Sequence, residues 1–527
     1  MEIRIQGRTM NHAVPAAFIH NGERDLTLAT DQARRPDNAA PMQTGSMLPP
    51  TSPGSAGLSA SAIEDLLRAM ESAGLELHSF MLARRGQVVA QAWWNPYGPE
   101  RVHMMHSVTK ALTSTGVGVA VHEGLFSLDD RVISFFPERA SADLSGHLSR
   151  MRVRDLLTQT SGHDRGVSGA VWRSIATSWI DEFLKIPVEH APGTHFQYSS
   201  ATSFMLSAIV TRTSGQSLQD YLAARVFEPV AMRSIQWNMG PEGINPGGNG
   251  ASMTSEDLLR LAILYAADGC WNGKRILPEG WVAAASQAAA ARPYGYHWWV
   301  WPEQPGFFAF GAFGQYAFVF PEHELALVTT AAVPGSISRP DIGIPPLVWQ
   351  YLPRIIAGPD ASSESELSLT RYTQSCSLSL GGIEVPDNQA CMVSGLRFRA
   401  ESNADDICAI QIDFNGPNCL VQFEYSHHTH CIDAGLGGTH VESTTTLPGA
   451  GLHHGYEPSQ LATVAWGYWN EPNVFTLKCQ YVETAFCDTF IFAYDDGALN
   501  MQRSVNVNGG NTWRPTIYAH SDDPSMS

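Results

Sequence analysis

Lysine is scarce in this chain: only Lys110, Lys185, Lys274 and Lys478 stand among its 33 basic residues, the rest being arginine. Acidic residues number 51 against those 33, for a formal net charge of −18. A chain with no basic stripe is excluded from tracking nucleic-acid phosphates, and equally from binding an anionic membrane surface. No apolar run approaches the roughly 18–20 residues that span a bilayer. The N-terminus, "MEIRIQGRTMNHAVPAAFIHNGERD", lacks the charged start, apolar stretch and small-residue cleavage site of a signal peptide, so a cytoplasmic protein is expected. Cysteine is also sparse. Cys270 stands alone, while Cys376, Cys391, Cys408, Cys419, Cys431, Cys479 and Cys487 crowd the last third. An odd group without a secretory signal fits free thiols better than a disulfide framework, and the absence of Cys-x-x-Cys removes zinc-ribbon and thioredoxin readings. There is no Gly-x-Ser-x-Gly elbow for an α/β-hydrolase triad and no Gly-x-x-x-x-Gly-Lys loop to cradle phosphates.

What is present is ordinary globular material, 44% hydrophobic and 16% charged over 527 residues, long enough for two or more domains. Residues 31–56 are rich in Pro, Ala, Gly and Ser and read as a linker or wrapping arm. "SASAIEDLLRAMESAG" (59–74) keeps helical spacing through Ile63, Leu66, Leu67 and Met70, with Gly74 as its stop. "SFMLARRGQVVAQAWW" (79–94) reads as a hairpin hinged on Arg85-Gly86, and a helix follows from Ser107 to about His122. Residues 150–300 are mainly helical with long loops, and strands return at 295–301, 315–320 and 325–332. The order predicts a sheet built from both ends of the domain around an inserted helical region. A small-residue, acidic linker is expected at 357–369. Beyond it, short alternating runs such as "ICAIQIDFNGP", "CLVQFEY" and "TFIFAYDDG" predict an antiparallel barrel or sandwich.

Within "HSVTKALTS" (106–114), Ser107 and Lys110 stand three apart, which on a helix puts both side chains on one face. Early in a helix, the serine lies near unsatisfied N–H groups and the positive end of the dipole, a setting that favours developing negative charge. Lysine can take the serine's proton only when neutral. Lowering its pKa from about 10.4 to about 7–8 requires burial or a neighbouring cation, worth roughly 3–5 kcal/mol. An N-capping serine followed by an unrelated lysine is the plain alternative. Two other stretches supply partners. Tyr198, in "GTHFQYSSATSFML", precedes a strongly helical run and offers a phenol as a second proton carrier; its plain reading is a packing tyrosine. "FFAFGAFGQYAFVF" (307–320) has glycines at 311 and 314 entering a strand, the mark of a close backbone approach and of an edge that could complete an oxyanion hole.

"HSVTKALTS", "MRVRDLLTQTSGHD", "GTHFQYSS", "ARVFEPVAM", "GGNGASMTSEDLLRLA", "GCWNGKRILPEGW", "YGYHWWVW" and "AFGAFGQYAFVFPEHELALV" occur in the order seen in serine β-lactamase-like hydrolases. Over roughly residues 75–350 the chain resembles 6-aminohexanoate-dimer hydrolases and related class C-type esterases. The resemblance implies a β-lactamase-like/transpeptidase fold (α/β, or α+β), an antiparallel sheet flanked by helices with a helical subdomain. It implies Ser107 as acyl nucleophile, Lys110 as its base and Tyr198 as relay to the leaving group. Ser200 falls at the Asn or Ser of the family's Tyr-x-Asn element, and a gapless alignment places the oxyanion-hole N–H pair on Ser107 and Ala309. That register puts Gly306-Phe307-Phe308 where β-lactamases carry Lys-Thr-Gly. Without that cation a β-lactam is disfavoured, and a neutral ester or amide is expected. Trp172, Trp298 and Phe313 are candidate substrate-lining aromatics, with core packing as their alternative. The C-terminal stretch resembles the lipocalin-like β domain that follows the catalytic domain in some bacterial members of the superfamily.

The expected organisation is therefore an arm (1–56), a hydrolase domain (57–356), a linker (357–369) and a β-rich domain (370–527). The expected activity is a metal- and cofactor-free serine hydrolase for a small-molecule or peptide ester or amide, with neither nucleic acid nor membrane as partner and a homodimer as one possible assembly. Transfer of the acyl group to an amine or alcohol, as in acyltransferases and peptide cyclases, is the alternative chemistry. A non-catalytic sensor or scaffold on the same fold is the alternative class. The cluster His427, His428, His430 and Cys431 reads as a polar hairpin turn rather than a zinc site, and His453-His454 does not alter that.

Overall fold

Strands from the two ends of the first domain meet in one antiparallel sheet. In the computed structural model, which describes residues 47–522 apart from 140–145, 290–291, 302, 338, 361, 380, 382–391, 448–452 and 454–457, its order is Gln87–Trp93, Glu76–Arg84, Leu325–Ala332, Gln315–Phe320, Phe307–Gly311. Residues 1–46 of the expected arm, Cys391 and His454 lie outside the described residues. The hairpin turns on Arg85 (φ 52°) and Gly86 (φ 75°), the two positive-φ positions of a tight turn that follows strand twist.

Each face of this sheet is covered. One carries the Ala60–Ser72, Ile344–Ile355 and Glu364–Ser375 helices, packed through Ile63, Leu67, Val348, Leu352 and Leu369 against Phe308, Phe310 and Phe318. The last of these helices takes up half of the expected 357–369 linker: Glu364 and Glu366 lie in its first turn, where the helix dipole favours acidic side chains. The other face carries the Thr109–His122 and Ser255–Ala266 helices. Thr109–Ala120 is buried throughout, which suits a helix whose side chains, Lys110 apart, are small or apolar all round. The run at 295–301 is not a strand. His297 takes φ 64°, and Trp299 makes isolated bridges to Tyr294 and Phe308.

The C-terminal part is a closed barrel of nine strands. Its order is Thr429–Gly435, Asn418–Glu424, Ala409–Asn415, Arg397–Ala400, Ile517–Ser521, Ala498–Val505, Cys487–Asp495, Val474–Tyr481, Leu461–Glu471, and Gly435 pairs with Trp466 to close the ring. Val441–Thr445 adds a tenth strand on the Leu461–Glu471 side. Phe423, Phe475, Leu477, Phe490 and Phe492 fill the interior, each fully buried. His430 and Cys431 belong to a strand, while His427 and His428 form the turn before it. The seven described cysteines are free thiols. Among the described residues no helix is long and apolar enough to cross a membrane.

Candidate active site

Ser107 occupies a 3-10 turn, His106–Val108, that runs directly into the Thr109–His122 helix. Its own N–H is one of the first-turn donors without an intrahelical acceptor. His106 enters this turn at φ 47°, a conformation costing a β-carbon-bearing residue on the order of 1 kcal/mol or more, and the surroundings must impose it. They do so from one side through Ala251, whose carbonyl accepts the Met105 N–H at 2.9 Å.

Lys110 lies one turn on, 1% exposed. Its Nζ donates to the Gly248 carbonyl at 2.8 Å and stands 3.2 Å from Ser107 Oγ and 3.5 Å from Ser200 Oγ. The Tyr198 ring centroid is 4.6 Å away. Among the described residues no carboxylate pairs with it, and burial alone brings its pKa down to about 7. Burial acts oppositely on the Tyr198 phenol, pushing it above its ordinary value while its hydroxyl interacts with Ser107. The site thus holds a lysine that can lose its proton near neutrality beside a phenol that keeps its own.

Two features missed from sequence make this possible. Gly247 and Gly248 permit close approach: a β-carbon on Gly247 would lie 2.3 Å from the Ser203 carbonyl oxygen, and one on Gly248 2.9 Å from Ser200 Cβ. Only so can the Gly248 carbonyl reach Lys110. Gln159, fully buried, accepts the Ser199 N–H at 2.8 Å and the Thr202 hydroxyl at 2.9 Å, while its own carbonyl accepts the Gln197 N–H. Those bonds bracket Tyr198. The "GGNG" stretch and the "TQTSGH" run were visible as motifs, but their partners are distant in the chain.

The Phe307–Gly311 strand is the open edge of the sheet beside Ser107. A β-carbon on Gly311 would stand 2.3 Å from the Met105 carbonyl oxygen, and the Phe313 ring meets His106 edge-on at 5.4 Å. The direction of each edge amide follows from the trans peptide, in which C=O of one residue and N–H of the next point oppositely. The Phe308 carbonyl accepts the Trp299 N–H on the open side, so the Ala309 N–H points into the sheet. Ala309 is therefore not the oxyanion donor that the gapless alignment assigned. The Gly311 carbonyl, by contrast, accepts the Gly314 N–H across the turn, so the Ala312 N–H is directed to the open edge.

The proposed lining aromatics need the same correction. Trp172 (3% exposed) packs on Trp179 and Phe204, and Trp298 (0%) on Tyr265 and Phe307. Phe313 (0%) is enclosed by His106 and Phe486. All three are core. The aromatics against Tyr198 are instead half-buried Trp299, stacked at 5.8 Å, and Tyr294, edge-on at 6.0 Å. Ser200 is brought to the site as expected by its place in the chain. Asp164, His190 and His195 also gather their ligand atoms within 4.8 Å, but the two imidazoles stack at 4.1 Å and 27°. Their in-plane lone pairs run side by side instead of converging on one ion.

The chain is 26% identical over 293 residues to a 6-aminohexanoate-dimer hydrolase of Paenarthrobacter ureafaciens, covering 50% of this chain and 74% of that one. It is 30% identical over 174 residues to esterase EstB of Burkholderia gladioli, covering 30% and 44%. The octameric penicillin-binding protein homologue from Pyrococcus abyssi superposes over 87% of this chain and 99% of its own, at 14% identity and a TM-score of 0.45. The family model described as beta-lactamase matches residues 68–341, more than half of the chain, and the protein belongs to that family.

Proposed function

We propose that the protein is a serine hydrolase that cleaves a neutral ester or amide through an acyl-enzyme on Ser107. The observation that carries this reading is Lys110, buried without a carboxylate partner among the described residues, 3.2 Å from Ser107 Oγ, with its pKa brought down to about 7 by burial. Burying a lysine so deeply costs stability, and the cost has a use if the amine must accept a proton. Neutral Lys110 takes the Ser107 proton as Oγ attacks the carbonyl carbon. The Ser107 and Ala312 N–H groups receive the oxyanion. Tyr198, kept protonated by its burial, donates to the leaving alcohol or amine and is reprotonated from Lys110. Water then attacks the acyl-enzyme by the reverse relay and releases the acid.

A neutral substrate is favoured because the Phe307–Gly311 strand presents no cation along the edge where a substrate carboxylate would bind. The hydrolase and esterase names of the relatives point to the same pair of bond types. A panel of p-nitrophenyl esters and anilides, with mass spectrometry of the trapped protein, tests the reading. The acyl adduct is expected on Ser107, and Ser107→Ala should lose turnover together with the adduct. Full activity in Ser107→Ala would sink it. Adding a competing amine or alcohol separates hydrolysis from acyl transfer by the product formed.

A further inference from the structure

The segment that leads into the nucleophile is held on its second side by the barrel. Met104 donates its N–H to the Glu483 carbonyl at 2.8 Å, and the Tyr97 hydroxyl donates to the Thr484 carbonyl at 2.8 Å. The barrel turn making these contacts is itself fixed. Thr484 Oγ1 accepts the Phe486 N–H at 3.0 Å, Tyr481 accepts the Thr484 N–H at 2.9 Å, and Asn506 Nδ2 donates to the Ala485 carbonyl at 3.0 Å. At the end of this turn Phe486, fully buried, meets His106 edge-on at 6.0 Å and Phe313 at 5.7 Å, while His106 and Phe313 meet each other at 5.4 Å. The three rings form a closed set. One belongs to the residue before Ser107, one to the residue after Ala312, and the third to the barrel.

Behind Phe486 lies a buried, hydrogen-bonded cluster. His453 stacks on it at 4.9 Å and 6°, and His453 Nε2 pairs with Asp488 at 2.8 Å. Asp488 also receives Arg503 and the Tyr481 hydroxyl, the latter at 2.9 Å. Edge-to-face ring contacts are directional, so a ring held from behind transmits its position to the two it touches. Met104, Ala312 and Phe313 accordingly belong to the barrel's hydrophobic cluster, although they flank the hydrolase site in sequence.

We propose that Phe486 is a positioning residue of the hydrolase site, its ring fixing the His106 and Phe313 rings so that the Ser107 and Ala312 amides stay aligned on one oxyanion; this rests on the acyl-enzyme reading above. The barrel is then part of the catalytic apparatus rather than an appendix to it. The ring contacts of Phe486 are with His106, Phe313 and His453, whereas Lys110 is set by its own burial, so loss of the ring should slow the chemistry at every pH without moving the acid limb set by Lys110.

The test uses the full chain, p-nitrophenyl butyrate for kcat and KM, and a fluorophosphonate probe with mass spectrometry for Ser107. Phe486→Ala should lower kcat by about tenfold or more, because small misplacements of reacting groups are costly, with KM little changed. Phe486→Leu, which fills the space without presenting a ring edge to His106 and Phe313, should lower kcat several-fold. Phe423→Leu, a barrel-core change whose ring neighbours are Phe490 and Phe492, should lower the melting temperature while kcat stays. Wild-type kcat in Phe486→Ala, or an equal loss of kcat in Phe423→Leu at equal melting temperature, overturns the proposal. If Phe486→Ala does not fold, the comparison of Phe486→Leu with Phe423→Leu decides by the same measure. A wild type that labels and turns over, matched by Phe486→Ala, removes this inference alone; a wild type that does neither removes the acyl-enzyme reading and this one with it.

Discussion

In the proposed reaction Lys110 joins stability and activity in one side chain. The unfolded chain holds this proton to about pH 10.4, whereas the folded protein releases it near 7. Between those values the unfolded state binds more protons, so this residue's contribution makes the fold more stable as pH rises, and makes it least favourable at and below 7. Replacing it by Met removes the buried ammonium but leaves the Gly248 carbonyl without its donor. The first effect is the larger, and Lys110→Met is expected to raise stability at pH 7 by roughly 1–3 kcal/mol while abolishing turnover. Urea denaturation at several pH values checks this: the advantage of the variant should shrink between pH 7 and 10. In the wild type, kcat/KM should fall about tenfold per pH unit below 7, as the base becomes protonated. A pH-independent rate across that range would remove Lys110 from the base role. The positions of Ser107, Lys110 and Tyr198 were readable because spacing and local motif define them. Trp298, a candidate lining residue by sequence, is fully buried, and half-buried Trp299 next to it is the one that stacks on Tyr198; which of two adjacent tryptophans is core is not written in their order.

Among elements, the edge strand carried the information that sequence withheld. Phe307–Gly311 is apolar and buried throughout, so its residues show no alternation, and the phase of its outward amides depends on Trp299, which pairs with Phe308 from outside the run. The barrel was legible for the opposite reason: its alternating strands repeat one rule, as in Cys487–Asp495. The more polar Thr429–Gly435 and Val441–Thr445 strands carry less of that signal and were not foreseen. The edge also offers a sharp test. Gly311 to Gly314 is a turn with a positive φ at Phe313 (70°) and none at Ala312, the pattern of a type II turn, in which proline fits the Ala312 position. Ala312→Pro deletes one N–H where the backbone already suits it. The expected loss is about 10²–10³ in kcat with a small change in melting temperature, the usual effect of removing one oxyanion donor. An equivalent change at Ala309 would break a sheet bond and lower stability first. A wild-type rate in Ala312→Pro would show that the oxyanion is held elsewhere.

For the whole molecule, the joint between the β-lactamase-family domain and the barrel decides how the chain unfolds. The described residues form one compact unit, and Met104, Ala312, Phe313 and Ala332 pack into the barrel's cluster. Neither part can open without exposing apolar surface of the other, so loss of activity and loss of barrel structure should coincide on heating. Tyr97 is the polar pin of this joint. Its hydroxyl donates to the Thr484 carbonyl and accepts from Gln480 Nε2 at 2.5 Å, and its ring stacks on His78 at 3.8 Å. His78 in turn bonds His103 at 3.0 Å, next to the segment entering the Ser107 turn. Tyr97→Phe keeps the stack and removes both hydroxyl bonds, leaving a buried carbonyl short of a donor. The expected cost is about 1–3 kcal/mol. Calorimetry together with residual esterase activity checks it: the wild type should show activity loss within its main transition, and Tyr97→Phe should move both to lower temperature together. If activity instead disappeared well before any barrel transition, with Tyr97→Phe shifting only one of them, the two parts would be independent folding units and the shared core at Met104 and Phe313 would not govern their stability.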